Sequence, residues 1–157
     1  MHTIMSDPTQ SKKTLRTDAI ALLEVCAGGN SRLAARRITQ FLDREMAEFG
    51  LKVAQLGLMA QIATASDDTL GALARRMGLD QSTLSRNLRA LESEGLVEVA
   101  IVEGDLRRRM VWLADLGSKR LEAAIPIWRG AHAKLAKLMS PELARRLADA
   151  TGALVSD

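Results

Sequence analysis

The sequence predicts a mainly α-helical protein carrying one small β-hairpin. Three observations lead there. Aromatic residues are only 3% of the 157 positions and tyrosine is absent, so the core must be packed from Leu, Ile, Val, Met and Ala, which suits helix on helix. Apolar residues recur at intervals of three and four over most of the chain. Between 96 and 113 the period becomes two: Val97, Val99 and Ile101 alternate with polar or small neighbours, and Met110 and Trp112 with Val111 and Leu113, around a Glu-Gly-Asp turn.

Each element has its own signal. Residues 1–14 are polar, include Pro8, show no periodicity and are expected to form a mobile arm. Thr17 and Asp18 can cap a short helix that Gly28 and Gly29 interrupt or kink. Asn30 or Ser31 is expected to start a second helix over 31–49, with Leu33, Ile38, Phe41, Leu42, Met46 and Phe49 on one stripe and Gly50 as its stop. A third helix covers 53–64. Thr69 or Asp68 caps a fourth, which stops at Gly78, and Asp80 caps a fifth over 81–94, stopped by Gly95. Two short helices punctuated by glycines have helix-turn-helix spacing, and the hairpin after them adds a wing. From 115 the pattern is helical again. Pro126 should kink that helix or open its ladder, and Ser140-Pro141 starts a last one.

Composition narrows the function. The net charge of +3 hints only weakly at a polyanionic partner. A single cysteine, Cys26, excludes an internal disulfide, and no stretch has the apolar length of a signal peptide or membrane span, so a cytoplasmic protein without membrane contact is expected. The two histidines, His2 and His132, lie far apart. With no metal-ligand cluster, glycine-rich phosphate loop or nucleophile motif, neither an enzyme nor a cofactor or metal is expected.

The charge that matters is local. On the 81–94 helix Leu84, Leu88 and Leu91 turn inward, which leaves Ser82, Thr83, Ser85, Arg86, Asn87 and Arg89 for the other faces. Positions 81–90 hold two arginines and no acid; Glu92 and Glu94 come at the far end. Short hydroxyls near a helix start and Arg or Asn beyond them are what phosphates and base edges require. The plain alternative is a solvated helix face. The hairpin decides between them, because Arg107, Arg108 and Arg109 come just after Asp105 at its tip, where a projecting arginine suits a narrow minor groove. A charged, aggregation-resistant edge strand is the simpler account of those arginines.

The segment LGALARRMGLDQSTLSRNLRALESEGLVEV, followed by DLRRRMVWLADLG, resembles the MarR family of bacterial winged helix-turn-helix regulators. Asp105, Arg107, Leu113 and Gly117 match the family's wing pattern. The departure is Ala114, where the family usually has a capping Thr; Asp115 is expected to cap in its place. The resemblance runs from about residue 17 onward and implies a DNA-binding transcriptional regulator, expected to be a repressor. It implies that Asp105 orients a wing arginine by an ion pair and that Arg107 enters the minor groove. DNA contacts are expected from Thr69, Ser82, Thr83, Ser85, Arg86, Asn87 and Arg89 of the helix-turn-helix, and from Asp105, Arg107 and Arg109 of the wing.

Four segments follow: the arm at 1–14, N-terminal dimerisation helices at 15–50, the winged lobe at 51–114 and C-terminal dimerisation helices at 115–157. Leu15, Ile20, Leu22, Leu23 and Val25, with Leu143, Leu147, Leu154 and Val155, lack obvious partners within one chain, so an isologous homodimer is expected to bury them. It would place two recognition helices one DNA turn apart, roughly 34–36 Å, on a pseudo-palindromic double-stranded operator. The resemblance also implies release from DNA by a small effector such as an aromatic acid, or by cysteine oxidation. Arg36, Arg37, Trp128 and His132 are candidate walls for the effector, and Cys26 is the redox candidate. The chain has no tyrosine near Cys26 to hold a sensor thiol, and a small buried apolar role competes with sensing. A winged-helix module for protein contact is the remaining alternative.

Overall fold

A computed structural model describes residues 8–65 and 69–154, and side chains within 12–65, 69–105 and 108–154. Its elements are α1 (Pro8–Val25), α2 (Ala27–Glu45), a 3-10 turn (Ala47–Phe49), α3 (Val53–Ala63), α4 (Leu70–Met77), α5 (Gln81–Ser93), β1 (Val97–Val102), β2 (Asp105–Leu113), α6 (Asp115–Ala136), α7 (Pro141–Thr151) and a final 3-10 turn (Gly152–Leu154). The chain divides into one unit up to Gln40 and another from Phe41 onward. Among the described residues, no helix is long and apolar enough to cross a membrane.

The first unit is helical and exposed. Its first helix begins at Pro8, well before the expected start near Thr17, so the stretch 8–14 is helix. The glycine pair does not break the helical run either. The junction falls at Cys26, and Gly28 and Gly29 occupy the first turn of α2. Glycine costs least there, and the Cys26 sulfur accepts the Gly29 N–H at 3.4 Å, doing the work of a cap. Asn30 and Ser31 therefore sit inside the helix, bonding back to the carbonyls of Glu24 and Gly28.

The second unit holds the core. Met46, Met59, Leu84 and Leu91 are fully buried, with Leu58, Leu73, Val97 and Val111 nearly so. Met46 precedes the 3-10 turn and the others come from the five successive elements α3 to β2, so one core unites the helices with the base of the hairpin. The helix expected to run to 49 ends at Glu45 and tightens into the 3-10 turn, which Gly50 closes at φ 76°. Asp43 then accepts the Val53 N–H at 2.8 Å, fixing the start of α3.

β1 and β2 pair antiparallel, with Val97 opposite Leu113 and Val99 opposite Val111. Val97 and Val111 turn into the core, while Glu98 accepts the indole N–H of its cross-strand partner Trp112 at 3.0 Å on the outer face. Thr69 makes an isolated bridge to Met110 and so ties the start of α4 to the wing. Asp115 does not cap α6: the N-cap is Ala114, without a side-chain bond, and Asp115 lies in the first turn beside the positive helix end. The backbone takes over that duty. Ala114 N–H donates to the Leu96 carbonyl at 3.1 Å, and Gly117 lies so close that a Cβ there would come 1.8 Å from the same oxygen. Pro126 is accommodated inside α6, which runs unbroken from Asp115 to Ala136. α7 starts at Pro141, as the Ser-Pro pair predicts.

Candidate nucleic-acid interface

Asp80 organises the exposed end of α5. Its carboxylate accepts the Thr83 N–H at 2.8 Å, the Ser82 hydroxyl at 2.6 Å and the Thr83 hydroxyl at 2.8 Å. These bonds, that from the Ser82 hydroxyl first, hold the carboxyl well below the usual carboxylate range, so it is ionised. Thr69 does the same for α4 more weakly, its hydroxyl accepting the Ala72 N–H at 3.4 Å. Ser82, Thr83 and Thr69 therefore have structural duties at the helix starts as well as the expected place at the interface.

α5, α4 and the wing enclose a groove of about 580 Å³ lined by Thr69, Gln81, Ser85, Asp105, Arg108 and Arg109, among others. Arg109 sits opposite Ile101 on the strand pair. It also lines, with Arg89, Ser85 and Glu92, a smaller gap between α5 and the hairpin. The recognition helix and the wing thus present their arginines on adjoining surfaces. Arg86, Arg89, Arg108 and Arg109 are exposed, and among the described residues no salt bridge neutralises any of them.

Not every expected residue joins this surface. Asn87 lies two residues from Ser85, about 200° round the helix. It lines a different groove with Lys52, Gln55 and Glu94, away from the wing. Arg107 belongs to β2 by its backbone, but its side chain lies outside the described residues, and the ion pair expected with Asp105 falls there with it. Gln81 and Arg108 line the groove without having been singled out as contacts. Arg108 belongs to the same arginine run as its neighbours, and Gln81 is the first residue after the Asp80 cap, so both signals were present.

The expected effector residues divide between the units. Arg36 and Arg37 are exposed on α2 in the first. In the second, Trp128 stacks on His132 with ring centroids 4.2 Å apart and planes tilted by 41°. Trp128 also lines a largely apolar cavity of about 470 Å³ between α3 and α6, with Leu56, Ala60, Leu121 and Ile125 as walls and Arg129 among its lining residues. Cys26 is half-buried, and its sulfur is engaged at the start of α2. No group of three metal-ligating side chains occurs among the described residues.

The sequence and fold have known relatives. The model of the MarR family matches residues 49–108. The M. tuberculosis transcriptional regulator MosR, solved in complex with DNA, is 33% identical, with a TM-score of 0.73 over 82% of this chain and 96% of that one. MosR solved alone is 31% identical, with a TM-score of 0.70 over 84% and 97%. A mutant of E. coli MarR complexed with operator DNA shares the fold at 20% identity, with a TM-score of 0.70 over 86% and 98%. No curated protein matches the sequence. The match to MosR covers far more of the chain than the lobe alone, and the chain belongs to the MarR family of winged helix-turn-helix DNA-binding transcriptional regulators.

Proposed function

We propose that the protein is a repressor that binds a pseudo-palindromic operator as a homodimer. The observation that carries the reading is the groove between α5 and the wing, flanked by exposed arginines that have no carboxylate partner among the described residues. Such a surface gains by meeting phosphates, because each contact releases a condensed counterion. MosR and the E. coli MarR mutant were both solved on DNA, which supports the same use of this lobe. α7 supports the dimer, since none of its residues is buried and Leu143 and Leu147 are 58% and 49% exposed. A dimer seated on an operator blocks access by occupancy, so repression is the simplest output. The test is an anisotropy titration of operator DNA at fixed salt. Arg107→Ala should weaken binding by at least about tenfold, the size of one good arginine contact. Unchanged affinity in a folded variant removes the wing from the reading.

The same reading includes a small effector. The cavity beside Trp128 has the size and apolar lining of a small-molecule site, and Arg129 supplies a donor suited to a carboxylate. An aromatic acid should therefore release the protein from DNA. Trp128→Ala should abolish that release while leaving operator affinity intact; release unaffected by the substitution places the effector elsewhere.

A further inference from the structure

Two helices carry the chain into and out of the winged lobe: α2, through its last residues 41–45, and α6. Arg120 ties α6 to the 3-10 turn that follows α2. Its Nη2 donates to the Phe49 carbonyl at 2.7 Å, across 71 residues of sequence. Its guanidinium carbon lies 4.4 Å from the centroid of the Phe49 ring. Gly50 makes the approach feasible: its positive φ turns the chain, and a Cβ there would already stand 3.4 Å from Nη2. The carbonyl belongs to the end of a helical turn, where the ladder leaves acceptors unpartnered.

We propose that Arg120 is the positioning residue that locks α6 to the Phe49 turn at the edge of the lobe, and so sets the separation of the two recognition helices in the dimer. The inference rests on the dimeric reading above. Four contacts surround the lock. The start of α6 is fixed to the hairpin base by the Ala114 bond to Leu96 and by the close approach of Gly117. The end of α2 is fixed to α3 by Asp43. Glu45 and Lys134 also pair across the two connectors, but the Lys134 side chain is 63% exposed, and surface pairs hold little. Leu121 and Ala124 seat α6 in the core, and beside them the half-buried Arg120 adds charge, a hydrogen bond and a ring face, which are directional and resist a change of angle. Without it the lobe stays folded and keeps its contact residues, but it can take more than one angle on α6.

The experiment is a selection of bound DNA from a random pool by the wild-type protein and by Arg120→Met, which keeps the stem and loses the donor. The wild type should return half-sites at one separation. The variant should spread over separations one or two base pairs either side and lose about tenfold in affinity for the wild-type consensus, a typical size for such coupling. Arg120→Lys should restore part of the preference, and Lys134→Ala should leave it unchanged. An equally narrow distribution from a folded, dimeric Arg120→Met overturns the inference. If Arg120→Met does not fold, Arg120→Lys and Phe49→Leu decide the matter in the same selection, and wild-type spacing in both overturns it. A wild type that returns no paired half-sites removes the dimeric reading itself, and the role of Arg120 with it.

Discussion

α5 and α7 carry the same pattern and meet opposite fates. Each is a short helix with leucines at helical spacing, started by a polar cap position. In α5, Leu84, Leu88 and Leu91 are buried to within 2% of completely, under α3, α4 and the hairpin. In α7, Leu143 and Leu147 remain about half exposed, and no residue is buried. Periodicity says which side of a helix is apolar; it does not say what covers that side. Each leucine left in water forgoes roughly 1.5–3 kcal/mol, so the α7 stripe is a cost unless another surface meets it.

The comparison can be broken by placing a charge on each stripe. Leu84→Glu should prevent the lobe from folding, because a carboxylate there has no partner and no water, and circular dichroism should show a lost cooperative transition. Leu147→Glu should leave helix content and thermal unfolding of the lobe intact while halving the mass seen by light scattering. If both variants stay folded at unchanged mass, α7 is not an interface. The caps offer a finer contrast. Asp80 makes three hydrogen bonds at the start of α5, whereas Ser140 makes no side-chain bond at the start of α7. Asp80→Ala should lower the melting temperature and Ser140→Ala should not. The sign with pH follows from the depressed folded value. Asp80 stabilises fully above its unfolded value of 3.8, and the contribution fades as pH falls below that towards the folded value. The gap in melting temperature between wild type and Asp80→Ala should thus be constant at neutral pH and close in acid. A gap that widens in acid contradicts the assignment.

Much of the lobe was legible because local chemistry punctuates it. Thr69, Gly78, Asp80 and Gly95 stand at the boundaries of α4 and α5, and the change of period marks the hairpin. Legibility failed where the decisive contact was unusual or remote. Two glycines suggested a break near 28, but a helix tolerates them in its first turn, and a cysteine sulfur supplied the cap. Asp115 looked like a substitute for a missing threonine, yet a backbone bond from Ala114 to Leu96 fixes that junction, and no local pattern announces it. On α5 the apolar stripe separates inside from outside but does not tell the two outer flanks apart, and Asn87 lines the groove away from the wing. Arg120 and Phe49 are joined only by the fold, and nothing near either one signals the other.

The Asp80 network has one more consequence, in the direction its protons point. An ionised carboxylate has no hydrogen to give, so Ser82 and Thr83 must each be the donor in their bonds to it. A hydroxyl owns a single proton. With both protons committed inward, what these two residues turn outward is lone pairs. The two hydroxyls at the start of α5 therefore offer acceptors, beside a flank of arginines that offers only donors.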